Sequence, residues 1–214
     1  VDIVLTGFEN GRITDLGGFS KPYPLSLTEK MLRLRARIRE EGGRMERLVE
    51  DGFSLEAIDE YTSLVAETVN TFLQRSGYRR EDIAALGFHG QTCDHFPPSI
   101  AGGKPAYTVQ VGNAGLLADL TGIPVIYDFR SDDIMAGGEG APLAPVHNLH
   151  IAGDLRNKGV FPVAFCNAGN TGNISVITED KDGENVIRGW DVGPFNHYTA
   201  VSYTHLRAHE TPEH

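Results

Sequence analysis

The stretch Ile83-Ala84-Ala85-Leu86-Gly87-Phe88-His89-Gly90-Gln91-Thr92 decides the fold class. Its first six residues are a short apolar run, the pattern of a buried strand. The run hands over to His89, Gly90, Gln91 and Thr92, polar side chains around a glycine that lets a ligand approach the backbone. Sheets of the α/β class place their sites in this way, beyond the carboxyl ends of their strands.

Upstream, residues 54–73 predict a helix. Ser54 is its expected N-cap, and Leu55, Ile58, Tyr61, Leu64, Val65, Val69 and Phe72 recur at helical spacing before Gly77 closes it. Residues 25–39 predict another helix, with Leu25, Leu27, Met31, Leu32, Leu34 and Ile38 among many basic residues. Pro22 and Pro24 separate it from a hairpin of strands over 1–8 and 12–19, joined by Glu9-Asn10-Gly11. Downstream, Pro97, Pro98, Gly102, Gly103 and Pro105 mark a loop. A strand over 107–111, a helix over 114–120 and a strand over 123–127 follow, the last ending on Asp128-Phe129-Arg130. After a glycine-rich run over 137–142, residues 163–166 and 174–177 predict two strands joined through 167–173. This alternation is that of an α/β chain rather than a bundle. A boundary near 153–162 divides it into a first lobe over 1–155 and the start of a second over 156–200. Residues 201–214 lack apolar periodicity and resemble the translation of a transposase-type sequencing adapter, so they are expected to be a non-native tail.

The net charge of −10 argues against nucleic acid or an anionic membrane as the main partner, since both call for basic surface. Cys93 and Cys166 are the only cysteines and lack ligand spacing, which fits a reducing, cytoplasmic setting better than a disulfide or zinc scaffold. No apolar run reaches membrane-spanning length.

Three polar clusters are expected at strand ends: His89 to Thr92, Asp128 to Arg130, and Asp191-Val192-Gly193-Pro194-Phe195-Asn196. The turn Asn167-Ala168-Gly169-Asn170-Thr171-Gly172-Asn173 is either an ordinary hairpin turn or one that aims backbone N–H groups at a phosphate. It matches neither the P-loop nor the dinucleotide fingerprint.

Several blocks together resemble the anhydro-N-acetylmuramic acid kinase family. They are Gly87 to Thr92, Thr108-Val109-Gln110-Val111-Gly112-Asn113, Leu116 to Gly122, Asp128-Phe129-Arg130-Ser131-Asp132-Asp133, and Ala136 to Pro145. They keep the family's order and spacing, and the resemblance spans roughly 1–196. It implies an actin-like, ribonuclease H-like ATPase fold. It also implies a kinase that uses ATP and Mg²⁺ to open the 1,6-anhydro ring of anhydro-N-acetylmuramic acid and phosphorylate O6, in peptidoglycan recycling. The family's form G-[FY]-D-x-G-P-G-N aligns with Gly189-Trp190-Asp191-Val192-Gly193-Pro194-Phe195-Asn196, which makes Asp191 the expected catalytic base and metal ligand. His89, Gln91, Asp128, Arg130 and Asp133 are the expected sugar-side residues. The last three either line the pocket or hold one another as an ion pair, and Arg130 would suit the lactyl carboxylate. Gly169, Asn170, Thr171, Gly172 and Asn173 would meet the ATP phosphates. A homodimer is implied as well.

The chain departs from the family at Asn170, which replaces a glycine of N-[IL]-G-G-x-[AS]-N, and at Phe195, which replaces the last glycine of G-P-G-N. These departures keep two alternatives open: a kinase for another anhydro-sugar such as levoglucosan, and a catalytically inactive sugar-binding domain. The family's first ATP loop, G-x-x-S-G-T-S-x-D-G, would precede Val1, and the rest of the second lobe would follow about residue 200. The 214 residues alone are therefore expected to show no kinase activity.

Overall fold

The structure is a computed structural model. It describes residues 1–10, 12–48, 50, 52–169 and 171–194, so the expected tail lies outside the described residues. The chain divides into two compact units, Val1–Gly140 and a second beginning at Ala141. That division falls upstream of the 155/156 boundary expected from sequence.

The first unit opens with an antiparallel hairpin, β1 (Asp2–Glu9) and β2 (Arg12–Ser20). Asn10 takes a positive φ of 51° in its turn, a conformation asparagine tolerates better than most residues. Helix α1 (Leu25–Glu40) buries Leu27, Met31, Leu34 and Ile38, the i, i+4, i+7, i+11 stripe of an amphipathic helix. It packs on α2 (Gly52–Ser76), which buries Ala57, Ile58, Tyr61, Leu64, Val65, Val69 and Leu73. Ser54, expected as the N-cap, lies inside α2 and is buried, because the helix starts at Gly52.

Strand β3 (Leu86–Phe88) is shorter than the expected 83–88: residues 83–85, which follow a 3-10 turn over 80–82, join no strand. The polar group after it does not remain a loop: Gln91 and Thr92 begin β4 (Gln91–Phe96). After the single turn α3 (Pro98–Ala101), β4 pairs antiparallel with β5 (Tyr107–Val111). Helix α4 (Ala114–Thr121) is capped by the Asn113 side chain, which accepts from the Leu116 N–H at 3.0 Å. Strand β6 (Val125–Tyr127) then pairs parallel with β3. A helix not expected from sequence, α5 (Phe129–Met135), follows directly and carries Arg130 and Asp133.

The second unit begins with α6 (Ala144–Asn157), which packs on a three-stranded antiparallel sheet of order β7-β8-β9. The strands are β7 (Val163–Ala168), β8 (Thr171–Glu179) and β9 (Asn185–Pro194). Arg156 ties helix to sheet. It bonds the Asn185 side chain at 2.8 Å, pairs with Glu179 at 2.7 Å and lies 3.9 Å over the Phe161 ring. Both parallel and antiparallel pairings occur beside helices, so the expected α/β class is what forms.

Candidate active site

The first-unit cluster rests on an aromatic stack. Phe88, at the end of β3, is buried against Tyr61 at a ring separation of 6.2 Å, and Tyr61 meets Tyr23 edge-on at 6.0 Å. This anchors the strand end that carries His89. Gly90 follows with φ of 73°, and a Cβ there would lie 2.8 Å from the Val111 carbonyl oxygen. Only glycine fits both conditions.

His89 Nδ1 lies 2.9 Å from the Gly90 carbonyl oxygen, and His89 Nε2 lies 2.8 Å from Arg130 Nε. A guanidinium only donates and a carbonyl only accepts. This geometry places the ring hydrogen on Nδ1 and turns the Nε2 lone pair to Arg130. Arg130 Nη1 also donates to the Gly140 carbonyl oxygen at 2.7 Å, and the Gly140 N–H donates to Asp133 Oδ2 at 2.7 Å. One turn of α5 sets Arg130 and Asp133 on the same side. His89, Arg130 and Asp133, three of the five expected sugar-side residues, thus share one network, with Asp133 linked to Arg130 through the Gly140 backbone.

Gln91 is held separately. Its Oε1 accepts from the Tyr23 hydroxyl at 3.1 Å, and burial pushes the Tyr23 hydroxyl pKa up, which keeps it a donor. Asp128 is exposed and left-handed, with φ of 62°, at the start of α5. A non-glycine residue in that region is uncommon and often marks a functional turn. Asp128 does not cap the helix with its side chain. Tyr23 was not singled out by sequence, and Gly140 only as a glycine shaping the backbone of the run over 137–142. The glycine-rich run was legible as a turn, but nothing local signals that its carbonyl would meet Arg130.

In the second unit, pairing reaches Ala168 and Gly172, so the turn between β7 and β8 is tighter than 167–173. Gly169, Thr171, Gly172 and Asn173 lie at or beside it, and Asn170 is outside the described residues. Asp191 sits within β9 rather than beyond a strand end, and its Cα partner across the sheet is Asn173. Directly opposed residues share a face, so Asn167, Asn173 and Asp191 form a row across three strands. The same face carries Gly189, where a Cβ would meet Pro145 of α6 at 2.8 Å. The register shifts between Gly172 and Asn173, which leaves Val192 of β9 as an extra residue beside this row. Asp191 is exposed, and among the described residues no side-chain hydrogen bond reaches its carboxylate. Phe195 and Asn196 are outside the described residues.

Among the described residues, no group of three or more His, Cys, Asp or Glu side chains is placed to hold a metal ion. Mg²⁺ commonly binds one or two carboxylates with phosphate oxygens and waters completing the shell. A single exposed Asp191, across the sheet from Asn173, fits that habit. Also among the described residues, no helix is long and apolar enough to cross a membrane.

The family profile described as anhydro-N-acetylmuramic acid kinase matches residues 1–210. Curated relatives of that same description align over 92% of the chain. The proteins from Variovorax paradoxus and Rhodopseudomonas palustris are each 38% identical, and that from Hahella chejuensis is 39% identical. The aligned part is 48% of the Variovorax and Hahella proteins and 50% of the Rhodopseudomonas protein, so the chain spans about half the length of the relatives it matches. The mixed parallel and antiparallel α/β architecture agrees with the actin-like class that the sequence blocks implied. The chain belongs to the anhydro-N-acetylmuramic acid kinase family.

Proposed function

We propose that the whole protein is an ATP-dependent kinase that hydrolytically opens the 1,6-anhydro ring of anhydro-N-acetylmuramic acid and phosphorylates O6, serving peptidoglycan recycling in the cytoplasm. The observation that carries this reading is the register placing Asp191 directly across from Asn173, next to the turn between β7 and β8. A carboxylate and a backbone-lined turn on one sheet suit a base working beside a phosphate. Asp191 takes the proton of the water that attacks the anomeric carbon, and the released O6 accepts the γ-phosphoryl group. Gly169, Asn170, Thr171, Gly172 and Asn173, at and beside the turn, meet the ATP phosphates. Asp191 would hold Mg²⁺, which would supply charge neutralisation at the transferring group. His89, Gln91, Asp128, Arg130 and Asp133 serve the sugar, with Arg130 suited to the lactyl carboxylate by its fork geometry. The partners are small molecules, and the assembly is a homodimer.

Levoglucosan remains the competing substrate, because Asn170 and Phe195 stand where the family form has glycines. The test is phosphorylation of anhydro-N-acetylmuramic acid and levoglucosan side by side, using protein expressed from the complete reading frame. A higher kcat/KM for the muramic sugar is expected. A preference for levoglucosan would move the assignment to that sugar, and transfer to neither would overturn the kinase reading.

A further inference from the structure

Asp133 bonds the glycine turn with both its side chain and its backbone. Its Oδ2 accepts the Gly140 N–H at 2.7 Å, and its own carbonyl oxygen accepts the Gly138 N–H at 2.8 Å. One residue of α5 thus grips the glycine turn twice. The turn is shaped for the grip. A Cβ on Gly138 would collide with the Asp133 carboxylate. Gly140 is buried with φ of 70°, and a Cβ there would press on Ile134 at 3.0 Å and on the Arg130 carbonyl oxygen at 3.2 Å. The carbonyl of this gripped glycine is the one that Arg130 Nη1 meets at 2.7 Å, while Arg130 Nε meets His89.

We propose that Asp133 is a positioning residue that acts through the glycine turn: it fixes the Gly140 carbonyl, which orients the Arg130 guanidinium, which in turn holds His89 as the Nδ1–H tautomer. A guanidinium is a rigid planar fork, so fixing one arm against Gly140 sets the direction of the Nε–H toward His89. The tautomer matters because Nδ1 is a donor and Nε2 an acceptor only in that form. What the pair is oriented for, an anhydro-sugar, rests on the proposed function. The orientation itself does not.

The test has two arms. The first reads the His89 ring nitrogens by long-range ¹H–¹⁵N NMR in this 214-residue chain, with the His89 signal assigned by its loss in His89→Gln. The unsubstituted chain is expected to show one Nδ1–H tautomer. Asp133→Ala is expected to give an average of both tautomers. Asp133→Asn, whose amide oxygen can still accept from Gly140, is expected to retain the single one. Gly138→Ala, which displaces the carboxylate without removing it, is expected to behave as Asp133→Ala, and it serves if that variant does not fold. A single tautomer in both Asp133→Ala and Gly138→Ala, or a mixed one in the unsubstituted chain, overturns the proposal. The second arm measures kinetics on protein from the complete reading frame. Asp133→Ala is expected to raise KM for the sugar about tenfold with kcat changed less than about twofold. Unchanged KM with an altered tautomer means that the network exists but does not serve this sugar. That would overturn the positioning role while leaving the kinase reading intact, whereas an inactive parent protein would sink the kinase reading alone.

Discussion

The two units hold their candidate residues in different ways. In the first, His89, Arg130, Gly140 and Asp133 are joined by hydrogen bonds of 2.7 to 2.8 Å, so the side chains are oriented by one another. In the second, Asp191, Asn173 and Asn167 share a level only because strand register puts them there, and Asp191 is exposed. Side-chain networks lock direction, while register locks position and face but leaves χ angles to the surroundings. Recognition of a shaped, polar sugar calls for fixed donors and acceptors. A base that must meet water and a phosphate-bound metal can be held more loosely until those arrive. Under the proposed function, this contrast suits specificity in the first unit and chemistry in the second.

The largest expected effect would break that assignment most plainly. Asp191→Asn, in protein from the complete reading frame, should lower kcat by about 10²–10⁴ with little change in sugar KM, because it removes a proton acceptor and keeps the shape. An effect on KM alone would place Asp191 among the binding residues. Arg130→Lys should do the opposite. It keeps the charge but loses the two-armed contact to Gly140 and His89, so sugar KM should rise about tenfold, near 1.4 kcal/mol, while kcat holds.

Stability sharpens the same contrast. Leu34 of α1 is fully buried, and Leu34→Ala should cost about 2–5 kcal/mol in urea unfolding followed in the first unit. The second unit's sheet exposes Trp190 at 47% and Val192 at 52%, so Val192→Ala should change stability by less than about 0.5 kcal/mol. Equal effects would mean that β9 is packed more tightly than its exposure indicates.

The smallest effect is a matter of rate and pH. Burial pushes the Cys93 thiol up to about 11 and also raises the Tyr23 and Tyr61 hydroxyls. Cys166 is exposed. Alkylation at pH 8 should therefore modify Cys166 quickly and Cys93 only on unfolding. The unfolded chain gives up these protons at ordinary pKa values while the folded chain keeps them. The first unit's stability is thus complete below about pH 9 and falls as pH rises toward the raised values. Two fast thiols, or stability that climbs above pH 9, would contradict the burial.

Much of the first unit was legible because its signals are local. The β1–β2 hairpin follows from the Asn10 turn, and α2 follows from seven apolar residues at helical spacing. Other elements gave no local signal. Strand β4 runs Gln91 to Phe96 with His and Asp among its residues, and its pairing with β5 rather than apolar content makes it a strand. Helix α5 is seven residues long with none buried, so no amphipathic stripe announces it. Strand β9 buries little and is defined by its ladder to β8. The site residues were legible as motifs, but their wiring was not. His89 and Arg130 are 41 residues apart, and no periodicity reports a contact at that separation.

The measurement that bears most directly on the account is the mass of the product formed from anhydro-N-acetylmuramic acid and ATP by protein from the complete reading frame. Hydrolytic opening with phosphorylation predicts that the sugar gains the elements of one water and one phosphoryl group together. A gain of the phosphoryl group alone, with the anhydro ring intact, or no gain at all, would contradict it.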